Sequence, residues 1–158
     1  SFMYSYLCSR TLVGLSYTGL AAAFIAREHP GVFHRLICQS GSFWWRNCWL
    51  IEQYRSSSWV ASEFYLDVGT MELDENVRHR EDVLQVVSQI DGVRHFRDVL
   101  LLAGNSVRYV EFDGGHDFAK WRQTLPDALR WALAKQGFQM DRYCEVGPGT
   151  SRNAGDRP

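Results

Sequence analysis

The sequence predicts an α/β fold, a mostly parallel sheet flanked by helices, and three observations carry that expectation. Short apolar runs alternate with longer amphipathic segments, the pattern of strands joined by helical crossovers. A serine between glycines joins the first apolar run to an alanine-rich segment, in Gly14-Leu15-Ser16-Tyr17-Thr18-Gly19. The last run, Val107–Phe112, opens directly onto Asp113-Gly114-Gly115-His116-Asp117.

Thr11–Leu15 reads as a buried strand. Residues 17–29 read as a helix with Leu20, Ala21, Ala23 and Phe24 toward the sheet, stopped by Pro30, which cannot continue it. Residues 32–38 give the next strand through Leu36-Ile37-Cys38, and Gln39-Ser40-Gly41-Ser42 turns it into the aromatic block Phe43-Trp44-Trp45. The stretch 46–58 is ambiguous and ends in a loop composition, Arg55-Ser56-Ser57-Ser58. Residues 59–68 contain a strand that ends at Gly69 and a carboxylate cluster, Glu72, Asp74 and Glu75. The spacing of Val83, Leu84, Val87 and Ile90 predicts a helix over 76–90, broken at Asp91-Gly92. A second helix follows over 93–103 through Phe96, Val99, Leu100 and Ala103, with Gly104-Asn105 as its stop. After the strand Val107–Phe112, residues 121–134 form a closing helix with Trp121, Leu125, Leu129 and Leu133 at steps of four, Ala128 and Ala132 beside them.

The chemistry gathers at the strand ends. A strand–Gly-x-Ser–helix turn is the layout of a nucleophile elbow, which lifts a serine clear of an α/β-hydrolase sheet. Its neighbours must be small because strand and helix approach closely, and the hydroxyl stands at a helix N-terminus, where N–H groups favour a developing oxyanion. Ser16 is therefore the candidate nucleophile and the backbone N–H of Tyr17 an oxyanion donor. Thr18 departs from the pattern, since it stands where G-x-S-x-G has its second glycine. His116, on a glycine-rich loop leaving a strand, is the candidate general base. The order serine, acid, histidine is the hydrolase order. Glu72, three residues past Gly69, is the candidate acid, with Asp74 the alternative. Asp74 and Glu75 also suit the first turn of a helix, where acids are favoured electrostatically.

Three ordered blocks resemble the enterochelin (enterobactin) esterase branch of the esterase D-like α/β-hydrolases. They are the elbow with its helix ending in His29-Pro30 and Gln39-Ser40-Gly41-Ser42-Phe43-Trp44-Trp45, then the Gly69–Glu72 loop, and finally Gly114-Gly115-His116-Asp117 with Trp121-Arg122. The resemblance implies Ser16 as nucleophile, His116 as base and Glu72 where the family often has an acid, although some relatives work as a Ser-His dyad. It implies hydrolysis of a catecholate siderophore trilactone such as ferric enterobactin, with Trp44, Trp45 and Arg122 (or Arg46) meeting catechol rings and their anionic oxygens. Trp121, in register with Leu125, suits core packing better than ligand contact. The same machinery would serve a feruloyl or acetyl esterase. A catalytically silent fragment is the third reading. The family comparison further implies that the chain holds the second half of such a domain, lacking its N-terminal strands, the other oxyanion donor and the partner for one sheet edge. A homo-oligomer joined through that edge is one expectation.

Composition excludes other classes. The chain of 158 residues, 46% hydrophobic and 22% charged, suits one soluble domain, expected over 1–146, with residues 147–158 a disordered tail. A net charge of −1 offers no electrostatic basis for binding nucleic acid or an anionic membrane. No apolar run approaches the ~18 residues that span a bilayer. Cys8, Cys38, Cys48 and Cys144 form no C-x-x-C pair and no metal spacing with the histidines, so neither metal nor other cofactor is expected. Cys38 reads as a small buried hydrophobe. This cysteine usage suits a reducing compartment, and residues 1–7 lack the cationic start of a signal peptide, so a cytoplasmic site is expected. The expected partner is a small-molecule ester.

Overall fold

The computed structural model describes residues 9–56 and 62–134. The expected tail at 147–158, Cys8, Cys144 and Trp59 lie outside the described residues. Among the described residues, ten elements follow one another: β1 (Thr11–Leu15), α1 (Tyr17–Glu28), β2 (Arg35–Gln39), α2 (Trp45–Arg55), β3 (Glu63–Gly69), β4 (Val77–Arg80), β5 (Val83–Gln85), α3 (Gln89–Leu102), β6 (Val107–Phe112) and α4 (Phe118–Ala134). Four strands make a parallel sheet in the order β1-β2-β3-β6, as the strand–helix alternation requires, and β4 and β5 pair separately as an antiparallel hairpin. Since all four strands run one way, their carboxyl ends share one rim, where open α/β sheets bind ligands.

Side chains alternate across the sheet. Leu36, Cys38, Phe64, Leu66 and Val68 face α1, α2 and α3 in the larger core, with Phe96 of α3 stacked on Phe43 at 4.0 Å. Ile37 and Tyr65 face the opposite side, where α4 lays Ala128 and Ala132 on them. The buried stripe of α1 is Gly19, Ala22, Ala23 and Ala26, so this helix sits close on the sheet. Ala21 and Phe24, expected on that face, are exposed; the small residues repeat at helical spacing one position away. On α4 the expected row at steps of four also gives way. Leu129 and Leu133 are 39% and 63% exposed, because a step of four drifts off the 3.6-residue period and the buried row becomes Trp121, Ala128, Ala132.

The helix expected over 76–90 is instead the β4–β5 hairpin followed by the start of α3. Asn76 sits at φ 55, off the right-handed helical path, and Glu81-Asp82 makes the turn. Leu84, whose spacing suggested a buried helical face, is 41% exposed. Nor does Asp91-Gly92 break a helix. Ser88 caps α3 by accepting from the Asp91 N–H and donating to its carboxylate, and the helix runs on through Gly92. A Cβ at Gly92 would come within 3.2 Å of the Trp44 nitrogen, so glycine lets α3 approach the aromatic block. The ambiguous stretch after that block is α2, whose first turn places Arg46, Asn47 and Cys48 at φ 48, 58 and 62. Among the described residues no helix is long and apolar enough to cross a membrane.

Candidate active site

Ser16 follows the last residue of β1 and precedes the first of α1, at φ 51 and ψ −122, a region costly for a residue with a side chain. The surroundings enforce it. The Ser16 N–H donates to Gln39 O on β2, and its carbonyl accepts from the N–H groups of Gly19, Leu20 and Ser42. A Cβ at Gly14 would lie 2.2 Å from the Thr18 carbonyl oxygen, so only glycine admits the first turn of α1. Thr18 is tolerated because its side chain points to solvent, where it closes the elbow: its hydroxyl accepts from Leu15 N–H at 2.9 Å and donates to Leu15 O at 2.7 Å. Tyr17 begins α1, so its N–H belongs to the helix turn that has no intrahelical acceptor.

Glu72 lies on the loop after β3, His116 on the loop after β6. Two backbone hydrogen bonds stitch these loops together, Thr70 N–H to Phe112 O and Met71 N–H to Gly114 O, both 2.9 Å. Asp117 caps α4 by accepting from Lys120 N–H at 3.0 Å, which anchors the far side of the histidine loop. The outcome is a continuous line. Ser16 Oγ lies 2.9 Å from His116 Nε2, and His116 Nδ1 lies 2.5 Å from Glu72 Oε2. Glu72 is almost fully buried, whereas the imidazole is 40% exposed on the solvent side. Trp121, at the start of α4, meets the imidazole edge-on at 4.7 Å.

Asp74 reaches neither histidine nor helix; it stays on the loop and lines the cavity. That cavity, about 280 Å³, opens over Ser16 and His116. Its walls are Tyr17, Ser42, Trp44, and the hairpin's Val77, His79 and Gln85. His79 stacks on Trp44 at 5.0 Å and is held by Gln85 Oε1 at 2.9 Å. Trp45 and Arg122, expected beside Trp44, do not line this cavity. Trp45 lies with Phe24, Trp49 and Arg46 along a separate groove of about 300 Å³, sent there by the left-handed turn at the start of α2. Arg122 is exposed on α4.

Four polar residues that the sequence does not single out as functional complete the surroundings. Ser42 brings its hydroxyl within 3.3 Å of Ser16 Oγ. Ser40 Oγ donates to Glu72 Oε1 at 2.5 Å. Gln39 and Asp67, paired across β2 and β3, point toward α4, where Gln39 Nε2 donates to Trp121 O at 3.0 Å and Thr124 donates to the Asp67 carboxylate at 3.0 Å. Burial pushes the Asp67 carboxyl up to about 6, against the opposing hydrogen bonds from Gln39 and Thr124. Their shared signal was position: each stands at or near the carboxyl end of a predicted strand. Among the described residues no group of three or more His, Cys, Asp or Glu is placed to hold a metal ion.

A serine, an imidazole and a carboxylate in line can activate a hydroxyl for attack on an acyl carbon. The family described as putative esterase matches residues 4–132. The iron(III) enterobactin esterase of Dickeya dadantii (strain 3937) is 31% identical over 133 residues, which cover 78% of this chain and 29% of that protein. Of solved structures, the enterobactin esterase from Shigella flexneri in the presence of enterobactin superposes with a TM-score of 0.60 at 23% identity, covering 78% of this chain and 30% of that one. A ferulic acid esterase superposes with a TM-score of 0.62 at 16% identity, over 83% and 54%. The chain thus spans about three-tenths of the length of the curated relatives it matches.

Proposed function

Because the chain belongs to the putative esterase family, we propose that it carries the catalytic centre of a carboxylic-ester hydrolase acting through Ser16, His116 and Glu72. The observation that supports this most directly is the unbroken line of two hydrogen bonds from Ser16 Oγ to Glu72 Oε2. His116 Nε2 takes the Ser16 proton as Oγ attacks the ester carbonyl, and Glu72 holds the imidazole and stabilises the imidazolium that forms. The Tyr17 N–H meets the oxyanion. The imidazolium returns its proton to the leaving alkoxide, leaving an acyl-serine. Water, deprotonated by His116, then attacks the acyl-serine; the acid leaves, and Ser16 recovers its proton.

The substrate in this reading is the trilactone of a catecholate siderophore of the enterobactin type, its iron part of the substrate. Identity to the Dickeya enterobactin esterase supports this, as does a cavity walled by Trp44, Tyr17 and His79, surfaces suited to aryl rings. The cytoplasm is the proposed site of action, in keeping with the free thiols of Cys38 and Cys48. Side-by-side hydrolysis of ferric enterobactin and a feruloyl ester tests the assignment. Faster, Ser16-dependent release of dihydroxybenzoyl-serine supports it, and preference for the feruloyl ester replaces it with an esterase of carbohydrate-linked aryl acids.

A further inference from the structure

Ser40 stands one residue beyond β2, at φ 43 and without solvent exposure. A glycine would adopt that backbone freely, so the serine side chain is present in spite of its conformation. Its hydroxyl has two partners of fixed character. Trp121 Nε1 lies 2.9 Å away and can only donate; an ionised Glu72 Oε1 lies 2.5 Å away and can only accept. The Trp121 N–H therefore occupies a lone pair of Ser40 Oγ and directs the serine proton at the carboxylate. With the Gly69 N–H at 2.7 Å, Oε1 has two donors, and Oε2 is left for His116. The Ser40 carbonyl also accepts from Gln89 Nε2, while Gln89 Oε1 receives the Trp44 N–H at 2.5 Å, so the same residue braces a wall of the cavity.

We propose that Ser40, its hydroxyl oriented by Trp121, is a positioning residue that fixes Glu72 for its bond to His116. This rests on the esterase reading and deepens it. Trp121 then serves twice, since its ring also supports the imidazole from the side.

The test compares p-nitrophenyl acetate turnover by wild type and Ser40→Gly between pH 5 and 9. Glycine suits φ 43, so the variant removes the hydroxyl with little demand on the backbone. The expected result is a kcat lower by roughly tenfold with KM changed less than about twofold. The acidic limb of the kcat/KM profile should also move to higher pH, because a carboxylate short of one donor pulls more strongly on the imidazolium. The other charged groups near the pair, Asp67 behind Glu72, Asp74 and His79 in the cavity wall, and Asp117 and Lys120 on the histidine side, are the same in both proteins. An unchanged kcat, or a fall with the acidic limb unmoved, overturns the proposal, the latter being what general loosening would give. Should Ser40→Gly not fold, Trp121→Phe decides. It keeps a ring beside His116 and removes the N–H, so a smaller shift in the same direction is expected and a stationary limb overturns the proposal. Wild type without Ser16-dependent turnover overturns the esterase reading as well, so the two failures are distinguishable.

Discussion

Gly69 and Gly114 approach so closely that a Cβ on Gly69 would lie 2.3 Å from the Gly114 carbonyl oxygen. One glycine ends the strand before Glu72, the other opens the loop that carries His116, and their contact sets the distance between carboxylate and imidazole. Gly69→Ala must push the loops apart. We expect it to lower unfolding stability by roughly 1–3 kcal/mol in urea titration and ester turnover by at least about tenfold. A variant of wild-type stability and activity would show that the contact does not hold the site.

The carboxylates near His116 should separate sharply. Glu72→Gln keeps the shape of the side chain but removes its charge, and we expect kcat to fall by roughly 10²–10⁴-fold. Asp74→Asn, which alters a cavity wall, should stay within about threefold. His116→Ala should reduce turnover at least as much as Glu72→Gln. An unimpaired Glu72→Gln would mean a Ser-His pair working alone or Asp74 serving as the acid.

Asp67 carries a pH dependence of stability. With its carboxyl raised by burial to about 6 from 3.8, the folded protein binds a proton more tightly than the unfolded chain. The contribution is therefore favourable below about pH 4 and is lost as pH rises through 6, by about 3 kcal/mol in all. Asp67→Asn cannot ionise, so the melting temperature of the variant relative to wild type should climb between pH 4 and 7 and level off above. A difference independent of pH would contradict the burial argument.

The cavity walls make the substrate-facing prediction. His79→Ala removes the ring stacked on Trp44 and should raise KM for aryl esters by about three- to tenfold. Arg122→Ala changes a side chain outside the cavity and should leave KM unaltered. Steady-state kinetics on one aryl ester reads both. The reverse pattern would move the substrate toward α4.

These residues also mark what the sequence could convey. Ser16, Glu72 and His116 were legible because each follows a strand end punctuated by glycine, and the parallel sheet brings all such ends to one rim. The hairpin was hidden because Val83, Leu84, Val87 and Ile90 imitate helical spacing by chance, while Asn76 redirects the backbone. Trp45 lies outside the cavity, beside the left-handed turn at Arg46–Cys48, where Asn47 alone is a residue type suited to positive φ. The side chains of Ser40, Asp67 and Gln39 bond across β2 and β3, to the loop after β3 and to α4. Such hydrogen bonds between segments distant in sequence leave no local pattern to read.

Activation of Ser16 by His116 for attack can be read by covalent labelling. The protein is treated with a fluorophosphonate probe and the modified peptide identified by mass spectrometry, in wild type, Ser16→Ala and His116→Ala. One adduct is expected on Ser16, absent from Ser16→Ala and formed far more slowly in His116→Ala. Folded wild-type protein that takes up no probe, or takes it up at the same rate without His116, would contradict that activation.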